Sequence, residues 1–342
     1  MMTKPKKQQN KYLVNKMGGF TNKKLIKDYE ELLENKRDMV NYWYPKYNPK
    51  VSQMEQTKKA LLLTVGSMGD RYGDRGRVHT LLAGEPGTAK SKLGIWTAHQ
   101  LDGRMCGKRT TDVGLTGSYD KKTGEIEPGA LPQAHGNAIF IDELDEFAEK
   151  DRQGLLEAMS DGKVNIEVGG DKKQFEAQCR VIASVNDTSV LSPELKDRFD
   201  FVFELETPNK DEQQEIMNDR ISDFMKETEG YEGSELRGYL DYIKSFQPEI
   251  TRETRERLKD IVNFYISAVD EGETGIRHKE SIIRIGIGIA KLNMRDLDPS
   301  DVVRATLLQD PSNSKNWRTA QNMANKTIKQ IIHKALEIEG YT

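Results

Sequence analysis

A chain of 342 residues has room for one large domain or two ordinary ones. Charged residues make up 31% of it with a net charge of only -3, and mean hydropathy is -0.73, so a polar surface surrounds a modest core and any nucleic-acid contact has to be local. Cys106 and Cys179 stand alone, which argues against a disulfide framework or a zinc site, and no apolar run approaches 18 residues, which points to no membrane partner and a cytoplasmic location.

Residues 1–24 carry seven lysines and no acid. They read as a solvated, disordered tail, with a nucleic-acid tether as the alternative. Residues 25–49 form a helix and linker, with Leu25, Tyr29, Leu32, Leu33, Val40 and Trp43 on one face until Pro45 and Pro49 break the pattern. The apolar stripe and Trp43 are expected to dock this helix on the main domain. Lys58 to Thr64 begins the next helix.

Val78 to Ala83 is a short apolar strand that ends at Gly84. Glu85, Pro86, Gly87, Thr88 and Ala89 then form a turn, and a helical pattern opens at Lys90 and Ser91. A strand, a glycine-bearing loop and a helix start make an anion site, because backbone N–H groups converge at the positive end of the helix dipole. Lys90 adds a charge for phosphates, and the Ser91 hydroxyl can ligate Mg²⁺. Ala89 occupies the place where the P-loop pattern G-x-x-x-x-G-K-[ST] has its last glycine.

Met105 to Thr110 reads as a second strand, and residues 114–131 as an insertion turning at Asp120 to Gly124. Ala138 to Ile141 is an apolar strand running into Asp142, Glu143 and Asp145. This is a Walker B pattern, in which Asp142 holds Mg²⁺ and Glu143 polarises the attacking water of an ATP hydrolase. Lys163 to Ala177 alternates about Gly169 and Gly170, as a β-hairpin does. Arg180 to Val185 is another strand, ending at Asn186, and Pro193 onward gives a short helix, an exposed Arg198 and a last strand to Leu205.

Strands alternating with helices predict an α/β fold with a parallel sheet, spanning residues 50–208, and nucleotide at the strands' carboxyl ends. Residues 209–310 show only helical patterns and form an all-α lid. Residues 311–342 form one amphipathic helix, with Trp317, Ala320, Ala324, Ile328, Ile331, Ala335 and Ile338 on a face. That face either docks a partner or packs on the chain's own helices.

With these pieces in order the chain resembles AAA+ ATPases, and specifically the minichromosome-maintenance (MCM) helicases. The loop Gly84 to Ser91 with Ala89 before the lysine is typical there, and is shared with MoxR-type AAA+ proteins. Three stretches are more specific: Gly114 to Leu131 resembles the segment with the helix-2 insert, Asp197 to Asp200 the arginine-finger motif, and Ile276 to Ile285 the sensor-2 helix. The resemblance implies ATP and Mg²⁺ as cofactors, Asn186 as sensor 1, Arg198 acting on a neighbouring subunit, and Arg277 as sensor 2 with Arg284 the alternative. It implies a homo-hexamer, DNA and replication proteins as partners. The family's N-terminal DNA-binding region and C-terminal winged helix have no counterpart in this sequence. The family's pore-hairpin lysine falls on Val168, leaving Lys172 and Lys173 to contact DNA. The rival expectations are a MoxR-like protein-remodelling ATPase and a ring that encircles DNA without unwinding it.

Overall fold

The computed structural model describes the chain apart from residues 1–22, 36–37, 50, 52–53, 72–73, 101, 108–111, 121–124, 169–170, 226–233, 271–273 and 342. Residues 1–22 of the basic tail and the two turns at 121–124 and 169–170 therefore lie outside the described residues, while Lys23 and Lys24 are helical. Helix α1 (Lys23–Glu34) is followed by a separate α2 (Met39–Trp43), not by its own continuation. Asp38 starts α2 by accepting a hydrogen bond from Asn41 N at 3.0 Å. Trp43 and Tyr29 dock as expected: both are buried, against Tyr239 at ring-centroid distances of 5.2 and 5.4 Å.

Helix α3 (Glu55–Gly66) is longer than expected and buried almost all round. It lies between the sheet, where Thr64 Oγ1 meets Thr80 Oγ1 at 2.6 Å, and the helical lid. Then come β1 (Thr80–Ala83), α4 (Lys90–Gln100), β2 (Arg104–Cys106), α5 (Asp112–Leu115), the hairpin β3 (Gly117–Asp120) and β4 (Glu125–Pro128), α6 (Ala130–Gln133) and β5 (Ala138–Ile141). Helix α7 (Glu149–Asp161), the hairpin β6 (Lys163–Val168) and β7 (Asp171–Glu176), β8 (Arg180–Val185), α8 (Pro193–Lys196) and β9 (Phe201–Glu204) complete the α/β part.

The main sheet has the order β2-β5-β8-β1-β9 and every pairing in it is parallel. Successive side chains point to opposite faces, so the apolar runs split between two cores. Leu82, Phe140, Ile182 and Phe201 join the core shared with α3, α4 and the lid. Leu81, Ile139, Val181 and Ala183 join a second core, with Leu155 and Met159 of α7 and Val164 of β6.

Beyond β9 the described residues are helical: α9 (Lys210–Met225), α10 (Ser234–Ile243), α11 (Arg252–Ala268), α12 (Ile276–Leu292) and α13 (Pro299–Gln309). The C-terminal stretch is two helices, α14 (Asn313–Gln321) and α15 (Lys326–Ile338), because Asn325 caps a new start by accepting from Ile328 N at 2.9 Å. Both pack on the chain's own lid. Trp317 is fully buried, donates Nε1–H to Thr306 Oγ1 at 2.7 Å and stacks on Tyr265. The result is an α/β P-loop fold of AAA+ type, with a parallel sheet and an all-α lid.

Candidate nucleotide site

The carboxyl end of β1 runs into Gly84, whose N–H donates to Val185 O at 3.2 Å while Leu205 N donates to Ala83 O at 2.7 Å. These neighbours crowd the position: a Cβ on Gly84 (φ 140) would lie 2.2 Å from Leu205 O. Gly87 has open space around it, so there the backbone angle, φ 94, is what favours glycine. Ala89 is left-handed too, at φ 67, which is the physical reason the P-loop pattern has glycine there. Holding an L-residue in this region costs about 1–2 kcal/mol, and part of that relief is offset by the extra unfolded-state entropy of glycine. Ala89→Gly is therefore expected to stabilise the fold by about 0.5–1 kcal/mol, read as a higher urea midpoint at constant slope. A lower midpoint would mean that the packing of Ala89 outweighs its strain.

Lys90 opens α4 and is buried, with its ammonium donating to Gly84 O, Glu85 O (2.9 Å) and Thr88 Oγ1 (3.4 Å). Burial pushes its pKa below the ordinary lysine value, against the pull of Asp145, Asp142, Glu85 and Glu143. Across from it, at the end of β5, Asp142 Oδ1 accepts from Ser91 Oγ at 3.0 Å and from Ser184 Oγ at 2.5 Å. Glu143 N donates to the same Ser184 Oγ at 2.9 Å, and Glu143 itself is left-handed at φ 54. Strain of this kind in a non-glycine residue concentrates at functional sites. Asn186, at the end of β8, is exposed and donates its N–H to Asp145 Oδ2 at 3.0 Å. The structure thus gathers Lys90, Ser91, Asp142, Glu143 and Asn186 at one end of the sheet. Ser184, which couples Asp142 to Glu143, was not singled out from sequence. Its only signal is a hydroxyl in an otherwise apolar strand, two residues before Asn186.

The donor set fits magnesium. Ser91 Oγ and the Asp142 carboxylate are adjacent hard oxygens, and Asp145 Oδ1 is a buried oxygen with no partner among the described residues. Among those residues no group of three His, Cys, Asp or Glu forms an all-protein cage. One or two protein oxygens completed by phosphates and water is how Mg²⁺ binds beside a nucleotide.

The arginines lie elsewhere. Arg198 follows α8, with Nη2 3.9 Å from Glu194 and its carbonyl held by Arg75 Nη1 at 2.9 Å. It is half-buried rather than exposed, and its Nε has no partner among the described residues. Arg277, on α12, pairs with Asp197 at 2.7 Å, so the structure places it beside Arg198. Arg284, two turns further along the same face of α12, is committed to the buried Asp200, which also takes Arg75 and His79 N. Arg284 braces the turn that carries Arg198.

Hairpin β6–β7 forms with Val168 opposite Asp171. Lys172 and Lys173 are both exposed, yet as neighbours in a strand they point to opposite faces. Lys172 lies opposite Glu167 and pairs with it at 2.5 Å, while Lys163 faces Glu176 at 3.8 Å. Lys173 shares the other face with Ile166 and sits 5.0 Å over the Phe175 ring.

The profile of the MCM P-loop domain matches residues 26–225. The "Minichromosome maintenance protein MCM" of Saccharolobus solfataricus is 30% identical over 259 residues, which is 68% of this chain and 38% of that protein. The "Probable DNA helicase MCM9" of Oryza sativa subsp. indica is 31% identical over 271 residues, 70% of this chain and 40% of that protein. The "DNA replication licensing factor mcm4" of Schizosaccharomyces pombe is 28% identical over 309 residues, 76% and 33% respectively. The chain therefore spans well under half the length of these relatives. With the matched profile covering more than half of its residues, the chain belongs to the minichromosome maintenance family.

Proposed function

We propose that this chain is an ATP-hydrolysing subunit of a homo-hexameric ring that moves along DNA as a replicative helicase, working with other replication proteins. The observation that carries the reading is the two-ended placement of the charged groups. Thr80 pairs with Phe201 and Ala83 with Glu204, so β1 and β9 run side by side in one direction. The loop from Gly84 to Ser91 follows their carboxyl ends, whereas Arg198 precedes their amino ends. A four-residue strand is about 13 Å long. Arg198 and its companion Arg277 therefore face away from their own chain's nucleotide and suit the nucleotide of a neighbour. A head-to-tail contact of that kind closes into a ring when its rotation divides a full turn.

Within one site, the N–H groups at the start of α4 bind the ATP phosphates with the helix dipole behind them. Lys90 exchanges its loop carbonyls for phosphate oxygens, and Ser91 with Asp142 holds Mg²⁺. Magnesium supplies neutralisation of the phosphate charge. Glu143, fixed through Ser184, orients water and draws on its proton, and Asn186 offers its amide to the terminal phosphate. Glu143→Gln is expected to bind ATP as the parent does and to turn it over about 10²–10³-fold more slowly. An unchanged turnover would overturn this assignment of Glu143.

The hairpin β6–β7 is proposed to meet DNA through Lys172 and Lys173, with Glu167 holding Lys172 in reserve. Glu167→Gln is expected to free that lysine and steepen the dependence of DNA affinity on salt by about one unit for each subunit engaged. A slope identical to the parent's would remove Lys172 from the DNA contact. The cancelled charges on this face favour a second reading, a ring that encircles DNA or remodels a protein in the MoxR manner without unwinding. Strand displacement on a forked duplex separates the two, since only the helicase reading yields single strands.

A further inference from the structure

A second charged site lies at the amino end of the sheet, where the lid meets the core. Arg180, the first residue of β8, donates Nη2 to Ser67 O at 2.7 Å, Nε to Ser67 Oγ at 3.2 Å and Nη1 to Gly136 O at 2.8 Å. Lys291, near the end of α12, is 4% exposed and donates to the same Ser67 O at 3.3 Å. Two basic side chains thus converge on one neutral carbonyl, and among the described residues neither forms an ion pair. Burial pushes the Lys291 pKa down to about 7, and Arg180 and Lys244 push it the same way. Both groups line a cavity of about 160 Å³, together with Lys244 and Arg237. Asp102 and Asp241 are on its wall as well, but Asp102 is engaged by Arg237 at 3.3 Å.

A buried basic group is ordinarily paired or discharged; here Lys291 tends to give up its proton, and Arg180 is held by neutral oxygens alone. The missing counter-charge and the adjacent space have one solution in common. We propose that this cavity binds a small tetrahedral oxyanion, phosphate or sulfate, through Lys291, Arg180 and Lys244. The volume holds a tetrahedral anion with a few waters, at about 30 Å³ per water, and falls below the range of about 300–1,000 Å³ that ligands of nucleotide size occupy. The ligands come from both parts of the fold: Lys291 and Lys244 from the lid, Arg180 from the sheet. An anion here ties lid to core at the end of the sheet opposite the P-loop.

The test is the thermal midpoint of the full chain in sodium phosphate or sulfate against sodium chloride, at pH 8 and matched ionic strength. Ligand that binds only the folded state raises the midpoint with the logarithm of its concentration, by roughly 2–4 °C at a tenfold excess over half-saturation. The parent and Lys90→Ala are both expected to show this rise, because the site is not the P-loop. Lys291→Met is expected to lose it, and the exposed Lys244→Ala to need several-fold more phosphate, which keeps the test open if Lys291→Met does not fold. Binding should also take up close to one proton at pH 8, since the anion raises the Lys291 pKa, and this uptake vanishes in Lys291→Met. A rise lost in Lys90→Ala but kept in Lys244→Ala would place the anion in the P-loop and overturn the proposal. No rise in the parent would overturn it as well.

Discussion

Arg198→Ala is expected to lower ATP turnover by on the order of 10³-fold while ATP binding stays near the parent level, and mixing it with Lys90→Ala should restore activity. The size is that of an arginine supplied in trans to a phosphoryl-transfer site, on the order of 10³–10⁵. The binding half of the expectation follows from position, because Arg198 lies at the other end of the sheet from the loop its own chain offers to ATP. The side chain is suited to such a role. Its Nε makes no hydrogen bond among the described residues, its carboxylate partner Glu194 is 3.9 Å away, and burial and Arg277 disfavour its charge against the pull of Glu194, Asp197 and Asp161. In mixed rings, interfaces pairing the intact loop of Arg198→Ala subunits with the intact finger of Lys90→Ala subunits are complete. Turnover recovered in mixtures of the two inactive variants is the reading sought. Mixed rings that form but stay inactive, or an Arg198→Ala protein with full activity, would show that the finger does not act across subunits.

Most of the sheet could be read from sequence because β1, β5 and β8 are short, largely apolar runs stopped by Gly84, Asp142 and Asn186. The same holds for Lys90, Ser91, Asp142 and Glu143, which sit where a strand ends and the backbone must turn. Pairs formed by distant residues were not legible. Asp197 with Arg277 and Asp200 with Arg284 join a turn to a helix some 80 residues on, and local periodicity carries no trace of that. Helical periodicity also hides breaks. A 3/4 spacing continues through Asn322 to Asn325, so two helices looked like one; Ile328 and Ala335 are buried as that pattern has them, while Ile332 and Leu336 are buried in place of Ile331 and Ile338. The same blindness joined α1 to α2 across Asp38. In the hairpin the opposite error arises, since Lys172 and Lys173 look like one basic patch in a string of letters and are back to back in a strand.

Arg304→Met is expected to cost about 3–5 kcal/mol, the largest stability loss of any single substitution outside the apolar core. Arg304, on α13, is wholly buried and ties three parts of the chain together. Its Nη1 and Nη2 donate to Asp38 at 2.8 and 3.0 Å, its Nε donates to Glu339 at 2.6 Å, and Asp301 lies at 3.7 Å. Two of these acids keep other partners without it: Glu339 retains Lys59 at 3.0 Å and Asp301 retains Arg295 at 2.7 Å. Asp38 retains only the weaker donors Asn41 N and Asn293 Nδ2, so it becomes a buried carboxylate without a cation. In the parent, burial works to raise the Asp38 pKa and Arg304 overcomes it, leaving the carboxyl below its ordinary value. Without Arg304 burial is opposed only by the Asn41 N–H and by the charge of Arg295, so the folded-state pKa rises. The folded variant then binds more protons than the folded parent, so its deficit relative to the parent should shrink as pH falls from neutral toward the ordinary carboxyl range. The measurement is urea unfolding of both proteins at two pH values, with Lys334→Ala as a comparison. That exposed lysine pairs with Asp298 at 2.7 Å and its loss should cost under about 1 kcal/mol. A loss from Arg304→Met no larger than that of Lys334→Ala, or a deficit that stays constant with pH, would mean that the chain's N-terminal helices are held to the lid by apolar packing around Trp43 and not by this arginine.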